Sequence, residues 1–517
     1  MLVGATVHSV LRKAVESHPH KVFLIDDQKE ITFQEMYDIS ERLASSFLRN
    51  GLGYGDRIAL LAPNQIEWLI TFYAASKIGA SIVPLNVRYR EYEFRYMLNH
   101  SKAKAIVSVS DFSGFNFLEF FQSFQSEIPT VEKYFFIGCG FHDLLRDQPD
   151  IRVKQLKNQV KPDDTILMIY TSGTTGKPKG AMITHQSILA SAKAQAEHFL
   201  ITEKDVAIGA LPLNHVGGIT CTVMVALISR SQVILIPTFI PKTVLESIGR
   251  FKATIVGGVP TMYYMLLNEM KSRPFDLHTL RLCIVGGSSV DKELVRQIAS
   301  HFPSAKTVNL YGLSETSGAC VLSKLTDSVE KVGASIGVPI GDFQMKVVDG
   351  RKADLPFEEP GELAVKGACV AKGYYGRMEE TKESFSPDGW LYTGDIVTMD
   401  EQQYIYFHGR KKEMYVQGGF NIFPAEIEEW LIKHHPKVLM AAGIGIPDQF
   451  LGEIGIYYIV PKQGEAVSAE ELEMYCSQFL ADYKLPKKFF IVDNLPVTSS
   501  GKIQKEKLKE LFMKANS

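Results

Sequence analysis

Short apolar runs alternate with helical patterns in the N-terminal part of the chain. The runs with the length and composition of buried strands are 22–25, 57–61 and 81–85. Apolar residues recur at helical spacing from 33 to 47, behind a capping box at Thr32, and a further helix begins near residue 65. This strand–helix–strand order predicts a largely parallel sheet covered by helices, with ligands at the carboxyl ends of the strands.

The same alternation resumes near residue 165. The predicted strands are 166–170, 233–236, 253–256, 281–285 and 307–310. Gly-rich or polar segments follow three of them, at 257–261, 286–288 and 309–316. Because the carboxyl ends of parallel strands meet at one edge of a sheet, we expect a site there. Residues 112–161 have weaker periodicity and predict little.

The pattern changes in the last third of the chain. From residue 333 the sequence predicts short β segments with Gly, Asp and Pro turns, up to a boundary at 409–413. A smaller α+β pattern follows, with strands at 439–446, 454–460 and 488–492 and helices at 468–480 and 503–513. We therefore predict an α/β fold: a large N-terminal domain of helix-covered β-sheets plus a small β-barrel-like part, and a smaller α+β C-terminal domain.

Composition narrows the class of protein. A chain of 517 residues should form at least two domains, and a net charge of -2 gives no electrostatic footprint for nucleic acid. The six cysteines include no C-x-x-C pair. The N-terminus reaches Arg12 before any long apolar core, and Pro237 and the polar segment 229–232 interrupt the most apolar window. We expect a cytoplasmic protein with no integral membrane segment.

One stretch, YTSGTTGKPKG at 170–180, combines hydroxyl side chains, glycines and two lysines directly after a predicted strand. Glycines allow close backbone approach to an anion, and Lys179 adds charge, so the stretch predicts a phosphate cradle. It is not a Walker A loop, since Pro178 rather than Ser or Thr follows Lys177. The alternative is a polar surface turn.

Six polar motifs follow one another along the chain: YTSGTTGKPKG (170–180), LPLNHVGG (211–218), YGLSET (311–316), YTGD (392–395), GR (409–410) and GK (501–502). This order resembles the motif series of the adenylate-forming superfamily, over nearly the whole chain. That superfamily contains acyl-CoA synthetases, adenylation domains of non-ribosomal peptide synthetases and firefly-type luciferases. The resemblance implies ATP and Mg²⁺, an acyl-adenylate formed with release of pyrophosphate, and a thiol acceptor such as coenzyme A.

The resemblance also assigns a nucleotide site. It comprises Thr171, Ser172, Gly173, Thr174, Thr175, Lys179, Gly287, Ser288, Asn309, Tyr311, Gly312, Ser314, Asp395 and Arg410. Asp395 would accept hydrogen bonds from the ribose hydroxyls, Tyr311 would stack on adenine and Glu315 would be the magnesium ligand. Ser314 stands where the family usually has Thr. On local composition alone, Asp395 would lie in a hairpin turn and Ser314 would cap a helix.

Two further residues take catalytic roles by resemblance. His215 would line the carboxylate site, and Lys502 would bridge the carboxylate and the α-phosphate. Without the resemblance, His215 fits a core histidine equally well. Lys502 would then be one of several solvent-exposed lysines near the C-terminus. The implied substrate-binding residues are His215, Val216, Gly217, Gly218, Val259, Gly286, Leu313 and Gly318, where small side chains would leave room for the acid.

The family places the C-terminal domain on a hinge, because Lys502 and the thiol need the same space. By resemblance the hinge residue is Lys412, and Gly418 and Gly419 would line a pantetheine tunnel. The predicted division is 1–409 for binding ATP and the acid, 410–412 for the hinge and 413–517 for the mobile domain.

The function that we expect is an ATP-dependent acyl-CoA synthetase for a hydrophobic carboxylic acid. No Asp lies between Asp205 and Asp276 to answer an amino-acid ammonium. One alternative is a stand-alone acyl- or aryl-acid ligase that loads a carrier protein, and another is a nucleotide-binding relative without turnover. Medium-chain, long-chain and aryl acids all stay open, as do a monomer and a homodimer.

Overall fold

The structure is a computed structural model that describes residues 4–26, 29–146, 148–171, 178–288, 290–418, 420–480, 482–498 and 502–515. Its strands, numbered in chain order, are β1 (Val22–Ile25), β2 (Glu30–Thr32), β3 (Arg57–Leu61), β4 (Ser81–Leu85), β5 (Ala105–Val109), β6 (Asp111–Phe112), β7 (Phe115–Asn116), β8 (Lys133–Ile137), β9 (Thr165–Thr171), β10 (Lys179–Thr184), β11 (Val206–Gly209), β12 (Gln232–Leu235), β13 (Ile255–Gly258), β14 (Leu282–Gly286), β15 (Lys306–Leu313), β16 (Gly318–Leu322), β17 (Val338–Pro339), β18 (Gln344–Val348), β19 (Gly361–Lys366), β20 (Trp390–Met399), β21 (Ile405–Arg410), β22 (Tyr415–Gln417), β23 (Phe420–Ile422), β24 (Val438–Asp448), β25 (Gly452–Pro461) and β26 (Lys488–Ile491).

The α-helices are α1 (Val7–Ser17), α2 (Phe33–Arg49), α3 (Ile66–Ile78), α4 (Glu91–Ser101), α5 (Phe117–Ser123), α6 (Phe141–Leu144), α7 (Ile151–Lys157), α8 (His185–His198), α9 (Val216–Gly218), α10 (Val225–Ser229), α11 (Pro241–Phe251), α12 (Pro260–Glu269), α13 (Lys292–His301), α14 (Val329–Ala334), α15 (Met378–Ser384), α16 (Pro424–His434), α17 (Ala469–Phe479) and α18 (Lys505–Ala515). A π-helical turn, Ile219–Met224, joins α9 to α10. In the described part of the chain, no helix is both long and apolar enough to cross a bilayer.

The largest sheet has nine strands in the order β17-β16-β15-β14-β13-β11-β12-β1-β2. Its centre, from β15 to β1, is parallel, and antiparallel strands cover both edges. The adjacent strands β13, β14 and β15 end at Gly258, Gly286 and Leu313. The three polar segments that the sequence placed after predicted strands therefore share one edge of this sheet.

A second sheet has six strands in the order β10-β9-β4-β3-β5-β8. Its β10 pairs antiparallel with β9, and Lys179 lies opposite Thr171 in this register. The Gly-rich stretch thus joins the two strands of a hairpin. The sequence did not predict β10, and we expected the loop to lead directly towards the helix at 184. Residues 172–177 lie outside the described residues.

A third sheet is antiparallel, in the order β18-β19-β20-β21, and it corresponds to the predicted small β part. Asp395 lies inside β20 and pairs in register with Arg410, the last residue of β21. The hairpin turn that composition predicted for Asp395 is therefore wrong. Gly394 adopts a φ of 73°, and the register shifts just after Asp395, so this part of β20 is an irregular strand.

The chain after Arg410 builds its own sheet, β23-β22-β25-β24, with β26 parallel to β25. One core cluster packs Tyr415, Ile427, Leu431 and Tyr457, and a second joins Ile444 and Ile456 to helix α18 through Leu508. These clusters contain no residue from before Tyr415 in the described part of the chain. The predicted fold class, a large α/β domain followed by a smaller α+β domain, is confirmed.

Candidate active site

Asp395 is the most deeply buried acidic group of the site. Its side chain is 1% exposed and lies 3.0 Å from Arg410, measured from Oδ1 to Nε. Tyr311, near the end of β15, donates its hydroxyl to Asp395 Oδ2 at 2.6 Å. Strand pairing fixes Arg410 beside Asp395, while Tyr311 reaches it from the nine-stranded sheet.

Burial makes the charged form of Asp395 unfavourable at this position. Burial raises the pKa of Asp395 above its ordinary value, and Arg410 and Tyr311 only partly offset that effect. Oδ1 makes no hydrogen bond with good geometry among the described residues. Arg410 still lies within ion-pair distance of this oxygen, so we treat the contact as electrostatic. Oδ1 is consequently an acceptor with capacity for a donor from a ligand.

Glu315 lies in the short 3-10 helix Ser314–Thr316 that follows β15. Its Oε1 accepts a hydrogen bond from the hydroxyl of Tyr374 at 2.9 Å and a longer one from the hydroxyl of Thr171 at 3.4 Å. The backbone carbonyl of Glu315 also accepts from the amide of Ala371 at 2.8 Å. The carboxylate is thus held at the point where the hairpin of β9 and β10 meets the nine-stranded sheet.

Glu315 fits the predicted role as a magnesium ligand. Both of its side-chain bonds fall on Oε1, and neither uses Oε2. Within the residues that the structure describes, no three His, Cys, Asp or Glu side chains form a metal cluster. Mg²⁺ bound with a nucleotide commonly takes one or two carboxylates and completes its shell with phosphate oxygens and water, so a single carboxylate is sufficient here.

Lys179 is buried at the start of β10, although lysines are rarely buried without a partner. Its ammonium lies 5.2 Å from the centre of the Tyr374 ring, in a cation–π contact. Tyr374 therefore contacts Lys179 through its ring and Glu315 through its hydroxyl. The four predicted phosphate residues Ser172, Gly173, Thr174 and Thr175 lie outside the described residues.

Sequence reasoning missed Tyr374. It lies in the segment 373–375, which runs beside β10: the amide of Tyr375 donates to the carbonyl of Gly180 at 2.9 Å, and Ala181 forms a bridge with Tyr374. The segment has no strand periodicity, and its only sequence signal is a pair of tyrosines between two glycines. That signal does not distinguish a site residue from a surface turn.

His215 caps the short helix α9, and its Nδ1 accepts a hydrogen bond from the amide of Gly217 at 3.2 Å. Burial, together with the positive charge of Lys502, lowers the pKa of His215 to about 4. The imidazole is therefore neutral at pH 7. The π-helical turn that follows is a form of helix found often at functional sites.

Lys502 comes from the C-terminal domain and reaches this site. It is half-buried, and its pKa is lowered by burial and by the charge of Arg410, while Asp395 and Glu315 act in the opposite direction. For a fully solvated lysine, water would screen the charges of these groups. Charge interactions thus connect Lys502 with four other predicted residues, His215, Glu315, Asp395 and Arg410.

The glycines of the predicted acid pocket serve the packing of the backbone. A Cβ at Gly286 would stand 2.1 Å from the carbonyl oxygen of Leu310, and one at Gly218 would stand 2.2 Å from that of Pro212. At Gly318 a Cβ would meet side chains of α8 and the π-helical turn at 2.8 Å. At these three glycines backbone or side chains already occupy the space of a Cβ, and the expectation that small residues leave room for the acid stays a prediction.

The predicted adenine residues lie near one another along β14 and β15. Gly287 adopts a φ of 82° directly after β14, and Ser288 is exposed beside it. Asn309 is buried in β15 and donates its amide to the carbonyl of Ser335 at 3.3 Å. Val259 precedes α12 at the end of the neighbouring β13.

The described hinge and tunnel residues lie at the start of the C-terminal domain. Lys412 lies in the turn between β21 and β22, and the amide of Gly418 donates to the carbonyl of Leu451 at 2.9 Å. Gly419 lies outside the described residues.

Comparisons with known proteins show the family to which the chain belongs. A family model described as AMP-binding enzyme matches residues 11–375, and one described as AMP-binding enzyme C-terminal domain matches residues 426–502. The mitochondrial medium-chain acyl-CoA ligase ACSF2 of Danio rerio is 31% identical over 537 residues, which cover 98% of this chain and 88% of that protein.

Two solved structures are similar over nearly their whole length. The anthranilate CoA ligase AuaEII, in complex with anthranoyl-AMP, has a TM-score of 0.89 at 25% identity, with 99% of this chain and 98% of that chain covered. ATP-bound MatB from Rhodopseudomonas palustris has a TM-score of 0.84 at 27% identity, with coverage of 98% and 99%.

The two-domain fold and the family matches define an adenylate-forming enzyme, and the charges of Glu315, Asp395 and Arg410 act on Lys502. The chain belongs to the family of AMP-binding enzymes. Within that family it is an acid–thiol ligase of the acyl-CoA synthetase branch, with a carboxylic acid, ATP and CoA as substrates and Mg²⁺ as the metal. The resemblance inferred from the six motifs is confirmed.

Proposed function

We propose that this enzyme activates a hydrophobic carboxylic acid, that Lys502 carries the adenylation step and that Asp395 binds the ribose of ATP. The observation that carries the proposal is the position of Lys502, which lies on the C-terminal domain but within the electrostatic reach of Arg410, Asp395 and Glu315. Adenylation brings a carboxylate against the α-phosphate, and these two anions repel each other. A cation between them offsets that repulsion in the transition state.

The remaining residues bind different parts of the nucleotide. Asp395 accepts from the ribose hydroxyls, since its Oδ1 retains acceptor capacity beside Arg410. Lys179 and the Gly-rich loop hold the pyrophosphate that leaves. Mg²⁺, held by Glu315, would supply positive charge to the phosphates. Tyr374 keeps Glu315 and Lys179 in a fixed relation through its hydroxyl and its ring.

His215 stands at the entrance to the acid site in this proposal. A neutral imidazole orients a carboxylate by hydrogen bonding without adding a competing cation near Lys502. The residues that follow, from Val216 through the π-helical turn, are apolar or uncharged, which suits a hydrophobic acid better than a charged one. The sequence between Asp205 and Asp276 also lacks an aspartate for an ammonium group.

The domain division that we propose is 1–409, 410–412 and 413–517, with Lys412 as the hinge residue. Strand β21 ends at Arg410 and β22 begins at Tyr415, so only a short turn joins the two sheets. Rotation about this turn would withdraw Lys502 and admit the thiol of CoA along a loop that includes Gly418 and Gly419. We place the enzyme in the cytoplasm, since all six cysteines are free thiols.

The test uses acid-dependent exchange of pyrophosphate into ATP, which reports adenylation without CoA. We expect Lys502→Ala to reduce the exchange rate by about 100-fold or more, the usual effect of losing one transition-state donor. Lys507→Ala is the matched control, because Lys507 is an exposed lysine close by in the chain. Exchange by Lys502→Ala at the wild-type rate would remove the basis of the proposal.

Two substrate screens complete the test of the proposed function. A panel of medium-chain, long-chain and aryl acids should rank the hydrophobic acids above amino acids in pyrophosphate release. Free CoA and a phosphopantetheinylated carrier protein should then be compared as acceptors. Transfer to the carrier protein alone would favour the carrier-loading ligase.

A further inference from the structure

Lys505 lies between two half-buried glutamates of the C-terminal domain. Its ammonium is 2.9 Å from Glu413 Oε2 and 2.7 Å from Glu428 Oε1. The three side chains come from different elements: Lys505 begins α18, Glu428 lies on α16, and Glu413 lies in the turn between β21 and β22. Glu428 also accepts from the amide of Gly443 on β24 at 2.6 Å. The ammonium thus ties the last helix of the chain to the turn that follows Arg410.

The three charges depend on one another. The side chains of Lys505 and Glu428 are each 14% exposed and that of Glu413 is 27% exposed. Burial opposes the charge of Lys505, but the two glutamates raise its pKa overall. Burial likewise opposes the charge of Glu413, yet Lys505 lowers its pKa, whereas burial raises the pKa of Glu428. Well-packed apolar side chains in place of a buried ion pair often give a domain equal or greater stability. A purely stabilising role is thus a weak explanation for it.

The cluster is joined to Lys502 through a closed loop. The amide of Gln504 donates to the carbonyl of Pro496 at 2.8 Å, and the amide of Thr498 donates to the carbonyl of Lys502 at 2.7 Å. The amide of Lys502 donates in return to the hydroxyl of Thr498 at 3.0 Å. Lys505 lies at the base of this loop, where the chain enters α18.

At its other end the cluster reaches the proposed hinge. Glu413 directly follows Lys412, and the amide of Glu413 donates to the carbonyl of Arg410 at 2.9 Å. Arg410 in turn pairs with Asp395. A continuous set of contacts therefore leads from the carboxylate of Asp395, through the turn after β21, to the loop that carries Lys502.

We propose that Lys505 is a positioning residue, which binds Glu413 and Glu428 and thereby fixes the Lys502 loop to the segment that follows Arg410. This inference rests on the proposed role of Lys502 in adenylation. Lys505 touches no reacting atom and acts through Lys502. Its loss should therefore affect the half-reaction that needs Lys502 and spare the transfer of the acyl group to CoA.

The variant is Lys505→Met, which keeps the length of the side chain and removes its charge. Lys507→Met is the matched control on the same helix, since Lys507 is exposed. We expect Lys505→Met to lower kcat for pyrophosphate exchange by about 10-fold or more, with KM for ATP changed by less than about twofold. CoA transfer from supplied acyl-adenylate should stay within about twofold of the wild type, and Lys507→Met should behave as the wild type in both assays.

A double variant separates positioning from general stability. If Lys505 acts through Lys502, then Lys502→Ala with Lys505→Met should exchange pyrophosphate as slowly as Lys502→Ala alone, because residues that act as one unit are not additive. Lys505→Arg should recover part of the lost rate. A multiplicative loss in the double variant, or an equal loss of both half-reactions in Lys505→Met, would overturn the inference.

Glu413→Gln serves if Lys505→Met does not fold. It removes the partner on the hinge side and leaves the pair between Lys505 and Glu428 intact. We expect a smaller loss, confined to adenylation, and unchanged exchange by Glu413→Gln would contradict the inference. Failure of the proposed function looks different: Lys502→Ala would then exchange at the wild-type rate, whatever the effect of Lys505→Met.

Discussion

Replacing Asp395 by Asn tests whether its buried charge serves ATP or the fold. The exchange keeps the shape of the side chain and removes the charge beside Arg410. The chain offers a matched control in Asp205, whose side chain is 5% exposed against 1% for Asp395. Their arginine partners, Arg281 and Arg410, are 35% and 36% exposed, and each contacts its aspartate through Nε.

The two aspartates differ in what their charge costs. Asp205 accepts from Arg281 through both oxygens at 2.7 Å, from the hydroxyl of Thr254 at 2.7 Å and from the amide of Thr202 at 2.9 Å. These bonds overcome burial and lower its pKa, whereas burial raises the pKa of Asp395.

Those opposite shifts predict opposite effects of substitution. Breaking a buried ion pair costs about 3–5 kcal/mol, and the partial exposure of Arg281 reduces the expected loss for Asp205→Asn to about 2–3 kcal/mol. Asp395→Asn relieves the cost of burying a charge, so we expect a loss of no more than about 1 kcal/mol.

Nucleotide affinity should respond in the reverse order. Hydrogen bonds to a charged acceptor are roughly twice as strong as those to a neutral one, at about 1.5–3 kcal/mol each. If Asp395 holds two ribose hydroxyls, Asp395→Asn should cost about 2 kcal/mol of binding, or roughly 30-fold in Kd. Asp205 lies just before β11, at the amino ends of the parallel strands and away from the site, so Asp205→Asn should leave Kd unchanged.

The measurements are calorimetric titration with a non-hydrolysable ATP analogue and urea unfolding of the same preparations. The reasoning fails if Asp395→Asn binds the analogue within twofold of the wild type. It also fails if both variants lose affinity to the same extent, since the loss would then follow stability rather than contact with the ribose.

Three further outcomes are expected. Tyr374→Phe keeps the ring over Lys179 but loses the bond to Glu315, so the Mg²⁺ concentration for half-maximal pyrophosphate exchange should rise about 3- to 10-fold, and Tyr375→Phe should leave it unchanged. Lys179→Ala should slow pyrophosphate exchange at least 10-fold while CoA transfer from supplied acyl-adenylate survives, and equal loss of both steps would contradict this division of labour. Burial lowers the pKa of His8 from 6.5 to about 4, so its contribution to stability is complete above pH 6.5 and is lost as the pH falls towards 4. Between pH 7 and 5 this amounts to about 2 kcal/mol, and urea unfolding of His8→Asn should show a shallower pH dependence than the wild type.

Elements with strong local signals were predictable from the sequence. Helix α3 begins after Gln65, as predicted, and it ends before Gly79, which adopts the left-handed conformation with a φ of 72°. The capping box at Thr32 forms as predicted, with the side chain of Thr32 accepting from the amide of Glu35. In each case the deciding interactions lie within a few residues along the chain.

Contacts between distant segments were not predictable in this way. Local composition placed Asp395 in a turn, because Thr-Gly-Asp is typical of turns, yet its pairing with β21 makes it part of a strand. Neither Tyr374 nor Lys505 gave a periodic signal, and the pair of tyrosines between glycines at 373–376 does not identify a site residue. Tyr374 is defined by what it contacts across two sheets, and Lys505 by two glutamates that lie far from it in sequence.

The pKa shifts of Lys505 and Glu413 differ in direction from those of Lys502 and Asp395, while burial raises the pKa of the third cluster member, Glu428. Lys505 has a raised pKa and Glu413 a lowered one, so their partners in the protein already favour the charged forms. Asp395 has a raised pKa and Lys502 a lowered one, so the fold disfavours their charges, and neither gains enough from its neighbours. Ligands of suitable chemistry, hydroxyl donors for the carboxylate and anions for the ammonium, would compensate them. These two unfavourable charges fit the proposed site, in which stability is given up for binding, and they are the charges to which we assign ribose binding and the adenylation step.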